Sequence, residues 1–509
     1  MSSKTKGTTT TRSTPLLVSS TFDTGNIIVE SIVPTWDEAA SMKKRDSCGG
    51  GEGGIEGEGA IIDVNIRRDP FTEGTDKKSH AQWFHFKISN VNEMRGKILV
   101  RILNAGEASY PNAFEGYWVC ASYEPGYEAT WFRVPTSFVD GNLQFCIPYD
   151  DEDEEECKGT SLAASAAADP ADPACNSKRK RGIRRRNAIW ISYFTPYTFQ
   201  DHQRLIGRMQ RKTLVRSVRS LGHTLDGRDI DLLCIGRGPK RVWLIGRQHP
   251  GETQPSFWME GLLKRLTDAA DPVASDMCKR CTFYVVPLMC PDGASRGHLR
   301  TNARGANLNR EWASSSSADG DESNVYEAPT LERSPEVFYA LREMDKIGCD
   351  AFLDVHGDEE LPHVFLAGGQ GTDVWGPRLE SLFAALATNY AKACPDFGDL
   401  NFGYGNDDPN TARMNVASSQ ITQRFDCLAA TLEMPYKDCY AWPDPACGMT
   451  ARRCERLGHA FLDAIAPLIP ILRAGESEVI EATGFAKGTP AWAKEGYKAP
   501  KHDELRWRR

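Results

Sequence analysis

Residues 242–252 read VWLIGRQHPGE. The first six form an apolar run of the kind a strand buried on both faces carries. A turn built on Pro250 and Gly251 follows at once, and it carries His249 and Glu252. In α/β sheets functional groups collect just beyond the carboxyl ends of strands, and a tight turn there can aim both side chains at one ion.

The same pattern repeats on either side. Residues 256–266 predict a helix with Phe257, Leu262, Leu263 and Leu266 on its apolar positions. TFYVVPLM (282–289) reads as a second strand and AFLDVHG (351–357) as a third, ending in a turn. Leu331, Val337, Phe338, Leu341 and Met344 recur at helical spacing, and 377–393 and 453–472 predict further amphipathic helices. Strands alternating with covering helices predict an α/β layer with a buried sheet over residues 203–475.

The residues before it have a different texture. GNIIVESIV, WFHFKISN, GKILVRILNA, GYWVCASY, WFRVPTSF and LQFCIPY are short, rich in aromatic and β-branched residues, and separated by turn residues. They predict an all-β sandwich over residues 16–200. Two low-complexity stretches interrupt it. Residues 46–60 (DSCGGGEGGIEGEGA) predict a flexible loop. Residues 150–187 run from DDEDEEE to KRKRGIRRR and predict a long surface insertion between two strands. Residues 1–15 read as a disordered tail, and 476–509 as a polar C-terminal tail.

Composition narrows the classes. A chain of 509 residues is too long for one ordinary core. Hydrophobic residues at 40% and charged residues at 26% fit a soluble globular protein. A net charge of −8 argues against nucleic-acid binding by the molecule as a whole. No apolar run reaches the roughly 18 residues of a membrane helix, and no secretory signal is expected. Fifteen cysteines without a framework spacing read as reduced thiols, which predicts a cytoplasmic protein. Cys278 and Cys281 form a lone C-x-x-C without a second half-site, a poor basis for a zinc knuckle. The basic run 178–186 is a candidate nuclear-localisation or nucleic-acid segment, although DDEDEEE would offset its charge locally.

The chemistry converges on strand ends. His356 closes the strand in LDVHGDEE, so two imidazoles and one carboxylate are available for a metal with an open position, the ligand set of a hydrolytic zinc site. Zinc would polarise a scissile carbonyl and lower the pKa of water. Asp354, two residues before His356, or Asp358 would orient an imidazole from behind. Residues 292–312 (DGASRGHLRTNARGANLNREW) follow another strand, and Arg300, Asn309 and Arg310 there suit a carboxylate. Glu433, after the apolar CLAATL and before a proline turn, is placed to act as a general base toward that water. An isolated H-x-x-E is weak; the combination carries the reading.

In that order, H-P-G-E, G-H-L-R with N-L-N-R, D-V-H-G-D and T-L-E-M-P resemble the zinc metallocarboxypeptidases of the funnelin (carboxypeptidase A-like) family. With FDTGNI, QWFHFKI, NAGEASYP, WFRVPTSF and YFTPYTF ahead of them, they resemble its cytosolic carboxypeptidase subfamily, over about residues 20–473. The resemblance implies a carboxypeptidase A-like domain, a mixed β-sheet covered by helices, behind the sandwich, and one Zn2+ per subunit on His249, Glu252 and His356. It implies Glu433 as general base and acid, Arg300 as oxyanion stabiliser, and Asn309 and Arg310 as holders of the substrate's C-terminal carboxylate. Hydrolysis of the C-terminal bond of peptides or protein tails follows, with acidic tails such as those of tubulin as an expected substrate class. Arg413, Arg424 and Lys437 are the basic residues available for such a side chain. Digestive members carry a mobile tyrosine some two dozen residues before the catalytic glutamate. Here none lies between Tyr404 and Glu433, so Tyr404 or another group fills that place, or the role is absent. The alternative within hydrolases is a deacylase of small N-acyl amino acids, which the retained N-L-N-R and the large β-region disfavour.

Overall fold

The computed structural model describes residues 15–35, 59–72, 80–94, 96–148, 186–314, 328–398, 403–404 and 411–485. Strands up to residue 192 are β1 (Leu17–Ser19), β2 (Ile28–Pro34), β3 (Ala60–Asn65), β4 (His85–Ser89), β5 (Ile98–Ile102), β6 (Val119–Ser122), β7 (Phe132–Val134), β8 (Thr136–Val139), β9 (Asn142–Cys146) and β10 (Ala188–Ser192). They form two five-stranded sheets, ordered β1-β4-β10-β6-β7 and β2-β3-β5-β9-β8. Period-two alternation turns Phe86, Ile88, Ile189 and Ile191 of one sheet inward. Ile62, Val64, Val100, Ile102, Leu143 and Phe145 of the other join them in one apolar cluster. The insertion 150–187 leaves from β9 in one sheet and re-enters at β10 in the other. Apart from Arg186 and Asn187 it lies outside the described residues, as do 1–14, most of 46–60 and 486–509.

The second sheet system begins after α1 (Phe199–Met209), a helix that straddles the expected boundary at 200–203. Thr198 caps it in a reciprocal capping box with Asp201. Seven strands follow: β11 (Val215–His223), β12 (Asp229–Gly236), β13 (Lys240–Gly246), β14 (Cys281–Val286), β15 (Ala351–Val355), β16 (Phe365–Gly368) and β17 (Leu428–Glu433). Their order is β11-β12-β14-β13-β15-β17-β16. The central pairs β14–β13, β13–β15 and β15–β17 are parallel, and the flanking pairs are antiparallel, so the sheet is mixed as expected.

Alternate residues of the parallel strands feed opposite faces. Val242, Leu244, Phe283, Val285, Leu353 and Val355 pack with α2 (Gln254–Leu266), α6 (Pro377–Ala393) and α8 (Ala451–Ile465). Trp243, Ile245, Tyr284, Val286 and Phe352 pack with α5 (Pro335–Ile347) and α7 (Ala417–Phe425). Helix α3 (Pro272–Arg280) and the short α4 (Pro291–Arg296) complete the connections. Cys278 and Cys281 are buried where α3 meets β14. No helix among the described residues is long and apolar enough to cross a membrane.

Three expectations shift. Leu331 lies in a turn, 42% exposed, ahead of α5. The helix expected over 453–472 ends at Ile465 and continues as a 3-10 turn over Ala466–Leu468. The C-terminal tail opens with α9 (Glu476–Thr483), which docks on α6; Val479 is buried, and Ser381 Oγ donates to the Phe485 carbonyl at 3.0 Å.

Strand order reverses at β13, because β14 and β15 leave it on opposite sides, and the crevice at that point is where α/β sheets bind ligands. Close by, Arg453 is buried between Asp396 (2.8 Å) and Asp438 (2.8 Å), tying α8 to the loop after β17. Arg453→Ala leaves buried Asp438 without its arginine and buried Asp396 with Arg456 alone. It should lower unfolding stability by about 3–5 kcal/mol, read as a shift of the urea midpoint.

Candidate metal centre and active site

The candidate metal ligands, general base and carboxylate holders sit at or beyond the carboxyl ends of parallel strands. His249 and Glu252 follow β13, Arg300, Asn309 and Arg310 follow β14, His356 follows β15, and Glu433 is the last residue of β17. The chain leaves β13 through Arg247, a non-glycine residue at φ 58. Its buried guanidinium donates to the Pro250 carbonyl (2.9 Å) and the Tyr197 carbonyl (2.7 Å), bonds that hold the left-handed turn against its cost of about 1–3 kcal/mol. Gly251 is required next, because a Cβ there would stand 2.8 Å from the Leu299 carbonyl oxygen.

His249, Glu252 and His356 are brought together, and their ligating atoms all lie within 4.8 Å of one another. All three are buried. His249 Nδ1 is 2.6 Å from Glu252 Oε1, His356 Nδ1 is 2.9 Å from Oε2, and the two Nδ1 atoms are 3.2 Å apart. Two nitrogens about 2.05 Å from a tetrahedral zinc would stand about 3.3 Å apart, so the spacing fits. The outer ring nitrogens are engaged from behind. His356 Nε2 donates to Asp354 Oδ2 at 2.7 Å, and His249 Nε2 to Asn307 Oδ1 at 3.0 Å. Those bonds place the ring protons outward and the Nδ1 lone pairs inward, the tautomer a metal ligand needs. Asp354 is thus the residue behind an imidazole, and Gln248 Nε2 donates to the same Oδ2 at 2.6 Å. Asp358 instead accepts from the Tyr404 hydroxyl (2.6 Å) and from the Glu360 and Leu361 amides.

The electrostatics favour a cation. Burial, with the Arg300 charge, lowers the His249 pKa to about 3 and keeps that imidazole neutral. Burial opposes charge on Glu252, but His249 and His356 outweigh it and hold the carboxyl far below its ordinary range. Burial also opposes a charged His356, yet Asp354 and Glu252 raise its proton affinity well above the usual value. A field that holds a proton on a buried imidazole also favours a divalent ion.

Beside the metal group lies a cavity of about 350 Å³, lined by His249, Glu252, Arg300, Asn309, Arg310 and Glu433. Arg300 Nη1 is 4.0 Å from Glu252 Oε1. Asn309 is oriented by the Ala417 amide, which donates to its Oδ1 at 2.9 Å. His356 Nε2, already donating to Asp354, cannot accept from Asn309 Nδ2 at 3.4 Å, so that amide keeps its N–H groups for another partner. Glu433 Oε1 takes the Tyr404 hydroxyl at 3.3 Å, while Oε2 is buried without a partner among the described residues. Burial raises the Glu433 pKa well above normal; the His356 charge pulls the other way, and Glu252 and Asp358 add to the rise. Tyr404 therefore reaches the glutamate although it stands further back in the sequence than a tyrosine spacing rule would place it. Among the basic residues named from the sequence, Arg413 lines the cavity. Arg424 pairs with Asp345 at 2.6 Å, and Lys437 donates to the Glu115 carbonyl at 2.8 Å in the β-region.

The sequence reading missed four residues here. Tyr110, in NAGEASYP, lines the cavity from the β-region, and Asn307 stands in the amide-rich loop itself. Glu359 lines the cavity beside Asp358, and Arg247 shapes the turn before His249. All four stand in stretches quoted from the sequence, but nothing local marked their roles.

Known proteins carry the same two-part arrangement. Residues 18–156 match the family model described as the cytosolic carboxypeptidase N-terminal domain, and 205–445 match the one described as zinc carboxypeptidase. An uncharacterized protein of Zymomonas mobilis is 36% identical, over 82% of this chain and 93% of its own length. Mouse cytosolic carboxypeptidase 6 is 26% identical over 43% of this chain, and the match spans 40% of that protein. A solved metallo-carboxypeptidase from Pseudomonas aeruginosa, in complex with (2-guanidinoethylmercapto)succinic acid, aligns with TM-score 0.69 and 31% identity over 90% of this chain and 100% of that one.

Proposed function

The chain belongs to the zinc carboxypeptidase family and is a zinc-dependent peptide hydrolase acting at C-termini, and from that premise we propose that it releases acidic residues, glutamate above all, from peptides or protein tails. The observation that carries the proposal is the cluster of Arg300, Arg310 and Arg413 on the cavity that also holds the metal group and Glu433. A C-terminal glutamate presents two carboxylates, and forked guanidinium donors suit both.

Zinc on His249, Glu252 and His356 would supply Lewis-acid polarisation of a carbonyl and acidify water. The protein's own groups do the rest. Asn309 and Arg310 grip the terminal carboxylate, which sets the last peptide bond over the centre. Glu433 takes the proton of the attacking water at Oε2 and delivers it to the leaving amine. Arg300 donates to the oxygen that gains charge, and the Tyr404 hydroxyl holds the glutamate in place. On this reading, acidic protein tails of the tubulin type are the expected macromolecular substrates. A cytoplasmic location is proposed on the names of the cytosolic relatives.

A panel of peptides ending in Glu, Asp, Leu or Lys tests the preference. Glutamate release should be fastest. Arg413→Ala should lower kcat/KM for the Glu peptide by about 10-fold or more and leave the Leu peptide nearly unchanged. Faster lysine release would sink the acidic reading and shift side-chain recognition to Glu359 and Glu360, which line the same cavity.

A further inference from the structure

We propose that Asp69, in the β-region, is the positioning residue for Arg300, so that the β-region forms part of the catalytic machinery. The inference rests on the role given to Arg300 above.

The guanidinium of Arg300 is not fixed by hydrogen bonds among the described residues. It has the Glu252 carboxylate at 4.0 Å and the face of Tyr110 at 6.0 Å from the ring centre. Its placement is therefore set from its backbone, and that backbone is held by one carboxylate. Asp69 Oδ1 accepts from the Leu299 amide at 2.7 Å. Oδ2 accepts from the Arg300 amide at 2.9 Å, the Thr301 amide at 3.0 Å and the Thr301 hydroxyl at 3.0 Å. Three successive amides converging on an anion make a nest, and their charge-assisted bonds define the dihedrals on both sides of Arg300. Those dihedrals set the direction of its Cα–Cβ bond.

Asp69 is itself rigid. It is 4% exposed, its amide donates to the His80 carbonyl at 2.8 Å, and its carbonyl accepts from the Thr72 hydroxyl at 2.8 Å. The segment then presses Phe71, at φ 62, against the same loop, where a Cβ on Gly305 would stand 2.5 Å from the Phe71 carbonyl oxygen. A displacement of about 1 Å at a reacting centre costs on the order of 100-fold in rate, so a clamp of this kind has kinetic consequences.

A double-mutant cycle on the holoenzyme, with the best peptide of the panel, separates positioning from mere cohesion between the two parts. Asp69→Asn keeps the volume and one acceptor but loses the charge and the second acceptor. We expect kcat to fall about 10- to 100-fold with KM changed less than about 3-fold and zinc still at one per chain, because Arg300 acts on charge present only in the transition state. In the Arg300→Ala background, Asp69→Asn should cost no further activity. Losses that multiply, a change in KM alone, or an unchanged kcat would each overturn the proposal. If Asp69→Asn does not fold, Thr301→Val removes one donor to the carboxylate. It should give a smaller kcat loss that also vanishes in the Arg300→Ala background, and a loss that persists there overturns the proposal too. If Arg300→Ala itself leaves kcat intact, the role given to Arg300 fails, a different result from multiplicative losses.

Discussion

Glu433→Gln lowers kcat by about 10²- to 10⁴-fold, the usual contribution of a positioned proton-transfer group, while the purified protein keeps its zinc. Glutamine preserves the shape of the side chain at the end of β17 and can still meet the Tyr404 hydroxyl. It cannot take a proton at the position of Oε2, the buried oxygen that has no partner among the described residues. Glu433 does not belong to the metal-binding group, so metal content should not follow activity in this variant. Single-turnover release of a C-terminal residue, beside zinc analysis of the same sample, is the check. Equal release by both proteins would remove Glu433 from the mechanism.

His356→Ala has the second large effect. It removes one of the three ligands and leaves Asp354, wholly buried, with Gln248 alone. Zinc content should fall well below one per chain and activity to background. Zinc also stabilises the native state that binds it, by about 4 kcal/mol when free zinc exceeds its dissociation constant a thousand-fold. A chelator should therefore lower the melting temperature of the wild-type protein and leave that of His356→Ala unmoved. Asp354→Asn keeps the three ligands but weakens their support, so about 10- to 100-fold in zinc affinity is expected. A His356→Ala protein with full zinc and an intact chelator response would place the metal elsewhere.

The parallel centre of the fold was legible because its strands are mostly apolar and stop abruptly. The run before His249 and the Pro250–Gly251 turn show this, and so does AFLDV before His356. The edges were less legible. Strand β11, Val215–His223, carries VRSVRSLGH with mixed exposure, too charged for an apolar-run rule, and β16 is four residues long. Leu331 fell in a helical period by chance, since Pro335 starts the helix and the residues before it make a turn. Ala466–Leu468 tightens to a 3-10 turn at Pro467, which the apolar period alone does not reveal.

The metal ligands could be read because each sits within a few residues of a strand end. Asp354 was legible as well, and Tyr404 as one candidate, but most supporting contacts join residues distant in the chain. Tyr404 meets Glu433 across 29 positions, and Asp69 meets Leu299 across 230. No local period encodes such contacts. The β-region, read from the sequence as a separate sandwich, contributes Tyr110 to the cavity wall and Asp69 to the loop beneath Arg300. It also stacks Tyr193 on Tyr436 at 4.6 Å, and the Tyr436 hydroxyl donates to the Gly251 carbonyl in the metal-binding turn at 2.9 Å.

The most direct test of the zinc centre is metal analysis of the purified protein joined to a C-terminal release assay. One zinc per chain is expected, with activity lost when a chelator removes it and regained when zinc alone is restored. Protein that takes up no zinc at neutral pH, or that releases C-terminal residues equally well without it, would contradict the assignment of His249, Glu252 and His356.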